Sequence, residues 1–180
     1  MLKNSLLIII LSLSVNVYAE TDDWTSYGKD SGGGHYSKAR DITPENVHLM
    51  EQAWVHRSGD YQSGANTRGK IANEIQTSFQ ATPLLVDETL YYCTPYNRVF
   101  ALNPETGEEK WVFDPDLDPA GRPLKTCRGI SSWKDKNKNE NDVCYHRLIG
   151  VTMDVDLFSI DAKTGKLCED FGDNGKVGLR

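Results

Sequence analysis

The sequence predicts an all-β chain that forms part of a β-propeller, with about two blades and part of a third, closing blade. From Phe79 onwards, short stretches rich in β-branched and aromatic residues alternate with turn-forming residues. Four such stretches fit into about 35 residues, which is the size of one propeller blade. Residues 101–108 recur as 159–166, and a repeat of this kind indicates stacked supersecondary units.

Residues 1–19 have the features of a cleaved export signal. Lys3 gives a positive amino end, Leu6–Leu13 forms an apolar run, and Val17–Ala19 offers small residues before an expected cleavage at Glu20. The alternative is a membrane anchor, but a spanning helix needs roughly 20 apolar residues and this run is shorter. We therefore expect a periplasmic protein.

The charge of the chain limits its partners. The formal net charge is −6, and it becomes −7 once Lys3 is removed with the signal. An acidic chain with no basic cluster is poorly suited to nucleic acid or to anionic lipid. A small neutral or polar ligand fits this charge better.

The four cysteines all follow the expected cleavage point, and an even number in an exported chain indicates disulfides. They are Cys93, Cys127, Cys144 and Cys168. Their spacing lacks the paired C-x-x-C of a zinc site, and three pairings are possible. Because Cys127 and Cys144 flank a polar loop, we favour a bond between them. The alternative is that some cysteines stay reduced and buried.

The segment before the first regular strands predicts little sheet. Trp24–Tyr36 is rich in Gly, Ser and Asp, which indicates an irregular, flexible loop. Thr43 is placed to cap a short helix, and Pro44 suits its first position because the missing N–H would be unpaired there anyway. We expect this helix to end by Leu49 or Met50.

The rest of this 20–78 segment approaches the propeller. Ala53–Arg57 predicts a strand, which we assign as the outer strand of the closing blade. Tyr61–Ile75 is polar and has no apolar period, so we expect a long loop.

Residues 79–180 are expected to hold the first blades of the propeller. The first blade is predicted to have a tight turn at Asp87-Glu88. Its four strands are predicted at Thr82–Val86, Thr89–Cys93, Arg98–Leu102 and Lys110–Phe113.

The repeated stretch has a physical explanation. In each copy a strand ends at an Asn or Asp that can bond the turn backbone, and a Gly follows that can take a positive φ. The matched pairs, each 58 residues apart, are Asn103 with Asp161 and Gly107 with Gly165. Trp111 follows the first Gly by four residues, and we expect it to pack between blades. The second copy has Glu169 at that offset.

The second blade is expected to contain an insertion. Lys134–Asp142 has no apolar residue, which indicates a solvated, mobile loop. The strands of this blade are predicted at Arg147–Thr152, Leu157–Asp161 and Lys166–Phe171.

Short motifs along the chain are individually weak, but their order is specific. They are Trp24 with Tyr27-Gly28, Ile42-Thr43-Pro44-Glu45-Asn46-Val47, Phe79-Gln80-Ala81-Thr82-Pro83-Leu84, Tyr91-Tyr92-Cys93-Thr94-Pro95, Cys127-Arg128-Gly129 and Phe171-Gly172-Asp173-Asn174-Gly175. In this order the chain resembles the amino-terminal part of the pyrroloquinoline-quinone (PQQ)-dependent dehydrogenases. Their glucose and quinate/shikimate branch is the most similar. The resemblance implies part of an eight-bladed propeller.

The resemblance also implies two cofactor-binding residues. Gln80, in Phe-Gln-x-Thr-Pro, matches a position whose polar side chain touches the quinone. Arg128, in Cys-Arg-Gly, matches an Arg that faces the reactive carbonyl edge, where a guanidinium stabilises negative charge as it develops. Without the resemblance, Gln80 could simply bond nearby backbone, and Arg128 could be an ordinary surface Arg.

The activity implied by the resemblance is oxidation of a sugar or cyclic polyol hydroxyl to a carbonyl. PQQ and Ca²⁺ would be the cofactors, and ubiquinone or a cytochrome would be the respiratory electron acceptor. The catalytic base and the calcium ligands are expected beyond Arg180, so we assign neither catalytic residues nor metal ligands here and expect the fragment to be inactive.

Two other functions are compatible with parts of the sequence. A non-catalytic propeller scaffold of the cell envelope shares the Ala-x-Asp-x-x-Thr-Gly-x-x-x-Trp blade motif, but it needs neither Gln80 nor Arg128. A truncated gene product would expose apolar blade faces and sheet edges, which favour aggregation.

Overall fold

The computed structural model describes residues 23–30, 32–61, 76–118 and 124–179. These ranges contain one 3₁₀ turn, Val47–Leu49, and ten strands. The strands are β1 Gln76–Phe79, β2 Leu84–Val86, β3 Thr89–Cys93, β4 Val99–Leu102, β5 Glu109–Phe113, β6 Leu124–Cys127, β7 Ser131–Lys134, β8 His146–Val151, β9 Asp156–Asp161 and β10 Lys176–Gly178. The expected export signal and all but the first residue of the expected loop 61–75 lie outside the described residues. No helix in the described ranges is long and apolar enough to cross a membrane.

The first blade is an antiparallel sheet in the order β2-β3-β4-β5, as the sequence predicts. Asp87 and Glu88 join β2 to β3 with φ of 48° and 54°, the left-handed backbone that a two-residue hairpin turn requires. Its strand β4 is buried at every position. The predicted strand bounds are correct to within two residues.

The second blade is also antiparallel, in the order β7-β8-β9-β10. Our prediction of a strand over Lys166–Phe171 was wrong, because Leu167 makes only one bridge, to Ile160, and β10 is the outer strand. Cys168 is drawn inward to its disulfide partner and a turn follows it, which interrupts the ladder. The inner strand β7 was not predicted because Ser-Ser-Trp-Lys has no apolar alternation.

The hydrophobic core lies between the two blades. Phe113 of β5 packs on Phe158 of β9, with 5.1 Å between ring centroids. Leu148 and Ile160 are fully buried in the same cluster. Each such side chain contributes roughly 1.5–3 kcal/mol when it leaves water, so the inter-blade face is a main source of stability.

Trp111 joins the blades, as predicted. Its Nε1 donates to the Ala162 carbonyl at 3.1 Å, and a Cβ on Gly165 would lie 2.6 Å from its ring. The Tyr91 hydroxyl donates to the same carbonyl at 3.1 Å, and burial raises the pKa of Tyr91 to about 12. Two protonated donors from the first blade therefore hold the turn of the second.

Trp54 repeats this contact one blade earlier. Its Nε1 donates to the Pro104 carbonyl at 3.1 Å, and a Cβ on Gly107 would lie 2.6 Å from its ring. Ala53–Arg57, predicted as the outer strand of the closing blade, makes no ladder with any described residue, and its place in a closing blade stays a prediction. Its tryptophan nevertheless makes the contact that Trp111 makes from an outer strand.

The predicted helix at Pro44 is only a turn followed by the 3₁₀ turn Val47–Leu49. Asn46, not Thr43, precedes it: the Asn46 Oδ1 accepts from the Thr43 N–H at 2.7 Å. The Asn46 side chain bonds backward into the loop, so it gives no cap to the turn that follows.

The disulfides join Cys93 to Cys127 and Cys144 to Cys168, so the favoured Cys127–Cys144 bond was wrong. The ends of β3 and β6 lie side by side, with 6.0 Å between the Cα atoms of Cys93 and Cys127. Flanking a loop in sequence was the wrong criterion, because partners are chosen by which strand ends meet.

The insertion at Lys134–Asp142 is solvated, as predicted. It is also anchored to the blade. Lys138 Nζ lies 2.9 Å from an Asp170 carboxylate oxygen and 3.0 Å from the Val143 carbonyl. The Asp135 N–H donates to the Tyr145 carbonyl at 2.8 Å, which closes the base of the loop.

Candidate cofactor-facing site

A short parallel ladder between β1 and β6 positions the two residues that the sequence singled out. The register pairs Gln76 with Leu124 and continues to Phe79 with Cys127. Gln80 and Arg128 are the next residues of these two strands. They therefore lie side by side at the same end of the ladder. The sequence did not predict this pairing of β1 with β6.

The two side chains are exposed and face one cavity of about 830 Å³. The Gln80 Nε2 donates to Ser78 Oγ at 3.0 Å, which orients the amide. Within the described part of the chain no carboxylate pairs with the Arg128 guanidinium. Among the described residues, therefore, no carboxylate neutralises its positive charge.

The backbone on either side of Arg128 is held firmly. The preceding residue, Cys127, is bonded to Cys93 at the end of β3. The Arg128 carbonyl accepts from the Thr82 N–H at 3.3 Å. The first blade thus fixes the point from which the guanidinium extends.

The amino-terminal loop forms the opposite wall of the cavity. Trp24 bridges to Leu85 on the free edge of β2, with N–H to O distances of 2.7 and 3.0 Å. This bridge brings Thr25, Ser26 and Tyr27 to the cavity. The loop is irregular, as predicted, but it is organised by contacts: the Tyr27 ring packs edge-on against His35 at 5.0 Å.

The lining groups suit an anionic or carbonyl-rich ligand. Among the described residues, a guanidinium, a carboxamide and several hydroxyls line the cavity, and no carboxylate does so although the chain is acidic. The hydroxyl residues are Thr25, Ser26, Tyr27, Ser131 and Ser132. Charge-assisted bonds from a guanidinium to carboxylate or carbonyl oxygens are among the strongest that proteins make. PQQ, a quinone that carries carboxylates, fits this donor set.

A different cluster in the described residues has the composition of a metal site but not its chemistry. Ligand atoms of Cys144, Cys168 and Asp170 lie within 4.8 Å of one another. The two sulfurs are joined in a disulfide, and metals bind thiolates. Hydrogen bonds from Arg147 and then Lys138 lower the pKa of Asp170 to about 2, so its carboxylate serves an ion-pair cluster.

A family model described as "PQQ: Glucose/ethanol/alcohol dehydrogenase, beta-propeller domain" matches residues 24–180. The chain belongs to this family of PQQ-dependent dehydrogenases. Its all-β blades, with no closed ring, agree with a partial propeller of the PQQ family.

Curated relatives support the same assignment. The chain is 37% identical to the quinoprotein glucose dehydrogenase of Escherichia coli K12 over 163 residues, covering 88% of this chain and 20% of that protein. It is 32% identical to the glycerol dehydrogenase large subunit of Gluconobacter oxydans, covering 87% of this chain and 20% of that protein. It is 29% identical to the quinate/shikimate dehydrogenase (quinone) of Acinetobacter baylyi, covering 87% of this chain and 20% of that protein. The chain therefore spans about one fifth of the length of these PQQ-family relatives.

Solved structures agree on the fold. The quinohemoprotein alcohol dehydrogenase from Comamonas testosteroni matches with a TM-score of 0.57 and 25% identity, over 82% of this chain and 19% of that one. A europium-containing methanol dehydrogenase matches with a TM-score of 0.60 and 22% identity, over 81% of this chain and 22% of that one.

Proposed function

We propose that this chain is the amino-terminal part of a periplasmic PQQ-dependent dehydrogenase that oxidises a sugar or cyclic polyol hydroxyl to a carbonyl. The relatives named for glucose, glycerol and quinate support this substrate class. The observation that carries the proposal is the pairing of Gln80 and Arg128 at the end of the β1–β6 ladder. Electrons would leave to a respiratory quinone or cytochrome.

The chain's own residues would bind and orient the cofactor. When bound, PQQ supplies a two-electron acceptor for the hydride of the alcohol carbon. Arg128 would hold its cation at the oxygen edge of that group, and Gln80 would fix the ring position through its amide. The Cys127 disulfide and the Thr82 contact hold the Arg128 backbone. The guanidinium therefore needs little rearrangement when negative charge develops beside it, and the free-energy cost of that rearrangement is small.

The base that takes the substrate proton, and ligands for Ca²⁺, are proposed to lie outside these 180 residues. On this proposal the chain binds quinone but does not turn over substrate. The scaffold alternative gives no role to the Arg128 guanidinium, which faces a cavity whose described lining holds no carboxylate. That is why we prefer the dehydrogenase.

Titration of the purified chain with PQQ, followed by quenching of tryptophan fluorescence, tests the proposal. Saturable binding is expected for the unaltered chain. Arg128→Ala should raise Kd about 10- to 100-fold, since a hydrogen bond to a charged group contributes about 1.5–3 kcal/mol. Gln80→Ala should raise Kd by a smaller factor of about 3 to 10, because its bond is neutral.

Lys166→Ala is the matched control. It removes one exposed cation from the turn of the second blade, away from the cavity, so Kd should stay within twofold of the unaltered value. Absence of saturable binding, or equal losses in Arg128→Ala and Lys166→Ala, would contradict the proposal.

A further inference from the structure

A hydrogen bond connects the cofactor-facing cavity to a second cavity. Ser132 lines the first with Gln80 and Arg128. Its Oγ lies 2.8 Å from Nε2 of His146. His146 lines the second cavity, of about 430 Å³, at the junction of the blades. The serine and the histidine therefore link the linings of the two cavities.

Asp87 continues this chain of polar groups to the surface. Its Oδ2 lies 3.5 Å from His146 Nδ1, and its side chain is 54% exposed. Lys134 Nζ holds the carboxylate at 2.8 Å. The 3.5 Å step is longer than a direct hydrogen bond, and a water in the second cavity can bridge it.

The neighbours of His146 favour one of its tautomers. A carboxylate only accepts, so Asp87 stabilises the tautomer that has the ring proton on Nδ1, the nitrogen that faces it. Nε2 is then an acceptor, and the Ser132 hydroxyl donates to it. In this tautomer the donors all point from the cofactor-facing cavity towards the surface.

The surroundings keep the imidazole neutral at neutral pH. Burial lowers the pKa of His146, and Lys134 adds to this, while the carboxylates of Asp87, Asp161 and Asp23 oppose it. The Tyr91 ring meets the imidazole edge-on at 6.2 Å. A neutral acceptor that a nearby carboxylate can stabilise when charged is suited to passing protons.

We infer that Ser132, His146 and Asp87 form a proton path between the cofactor-facing cavity and solvent. This rests on the proposed function, because a reduced quinone oxidised by two one-electron acceptors releases two protons along with two electrons. For each proton, Ser132 Oγ accepts it from the cavity while giving its own proton to His146 Nε2. The imidazolium then releases its Nδ1 proton to Asp87 and so to water. Exchange with solvent in the second cavity restores the Nδ1–H tautomer.

Nuclear magnetic resonance on the chain without cofactor tests the path first. Nitrogen shifts of the His146 ring should show the Nδ1–H tautomer at pH 7. Asp87→Asn should shift the population towards Nε2–H by at least twofold, and Ser132→Ala should move the Nε2 resonance. The His35 resonances, from the amino-terminal loop, serve as the control and should not move. An Nε2–H tautomer in the unaltered chain, or no response to Asp87→Asn, overturns the path.

The rate of proton release then tests whether protons follow this path. Chain loaded with reduced PQQ is mixed with ferricyanide, and a pH indicator follows proton release in stopped flow. His146→Gln should slow release at least tenfold, with rescue by added imidazole, while Kd for PQQ stays within twofold. His48→Gln, in the exposed 3₁₀ turn, should change neither.

The outcomes separate the two proposals. A chain that binds no PQQ overturns the proposed function and the path with it. A chain that binds PQQ but releases protons equally fast with His146→Gln overturns the path alone.

Discussion

Asn103 and Asp161 occupy the same place in the turns of the two blades, but their side chains make different contacts. In the first blade the Asn103 Oδ1 accepts from the N–H groups of Glu105 and Thr106, at 2.8 and 3.2 Å. In the second blade Asp161 Oδ1 accepts the two equivalent bonds, at 3.0 and 2.9 Å. Its Oδ2 also accepts from the Cys144 N–H at 2.7 Å. One repeat position thus carries an additional link.

The two blades also differ in the backbone pairing that follows each turn. After Gly107 the first blade continues as a complete strand, β5, with Trp111 in the ladder. After Gly165 the second blade has only two isolated bridges, Leu167 to Ile160 and Asp173 to Lys176, in place of a strand before β10. The second blade replaces the missing ladder with a disulfide, the Asp161 link to Cys144 and the ion pairs of Asp170. A repeat can therefore keep its turn while exchanging backbone hydrogen bonds for side-chain and covalent ones.

Removing the disulfides should have the largest effect on the unfolding free energy of the two blades. Loops of 24 and 34 residues are closed by Cys144–Cys168 and Cys93–Cys127, and cross-links of this span contribute about 3–4 kcal/mol to unfolding free energy. Double alanine variants of each pair should lose about that much in urea denaturation. Only Cys93→Ala/Cys127→Ala should also weaken PQQ binding, because it frees the strand end before Arg128.

The chain treated with reductant should lose as much as the two double variants together. A loss below about 1 kcal/mol for Cys144→Ala/Cys168→Ala would contradict the idea that this bond replaces the ladder.

The glycines of the two turns should have the next largest effect. Gly107 and Gly165 have φ of 74° and 70°, and an added Cβ would meet a tryptophan ring at 2.6 Å in each case. Alanine at either position should cost about 1–2 kcal/mol for the backbone and up to about 3 kcal/mol for the overlap. Gly165→Ala should cost more, because Trp111 is held in a ladder whereas Trp54 makes none with a described residue.

Gly33→Ala is the control for the backbone term alone. Its φ is 67° and nothing lies within 4 Å of its added Cβ, so only the backbone cost of about 1–2 kcal/mol is expected. Equal losses at Gly33 and Gly165 in urea denaturation would mean that the tryptophan contact adds nothing.

Much of the fold could be predicted because its local signals agree. The Asp87-Glu88 hairpin, the strands of the first blade and the repeated turn each depend on a few neighbouring residues. The prediction failed where long-range pairing decides. Cys127 was given a partner from its loop, yet it meets Cys93 because β3 and β6 end together.

The candidate site was predicted by resemblance and not by pattern. Gln80 and Arg128 lie 48 residues apart, and nothing in their composition announces that β1 and β6 pair in parallel. His146 was missed altogether. Its sequence signal is one histidine at the start of a strand, and its partners Ser132 and Asp87 come from a different strand and a different blade.

Exchanging the two repeat residues should give a smaller and asymmetric effect. In Asp161→Asn one of the two accepting oxygens becomes an NH2 group, which cannot accept. This group must face either the turn N–H groups or the Cys144 N–H, so one buried donor loses its acceptor. The expected cost is about 1–3 kcal/mol. Asn103→Asp keeps its acceptor oxygen and should change unfolding free energy by less than about 0.5 kcal/mol. Equal effects in chemical denaturation would contradict the additional link in the second blade.

The ion pairs of Asp170 should give the smallest effect, and it should depend on pH. Arg147 Nη2 lies 2.6 Å and Lys138 Nζ 2.9 Å from its Oδ2, and they lower the pKa of the carboxyl from 3.8 to about 2. A lowered pKa gives stability that is present above the ordinary value and is lost as the pH falls from about 3.8 towards 2. Because this side chain is 50% exposed, solvent screening should keep the contribution below about 1 kcal/mol.

Asp170→Asn should therefore lower unfolding free energy slightly at pH 6 and have no effect near pH 2, measured by urea denaturation across that range. Glu105→Gln, which removes an exposed acid from the turn of the first blade, is the control. A difference between Asp170→Asn and the unaltered chain that persists at pH 2 would mean that the carboxylate charge does not act there. The Arg147 and Lys138 contacts would then be packing, and the second blade would depend on its disulfide and on Asp161 alone to replace the missing ladder.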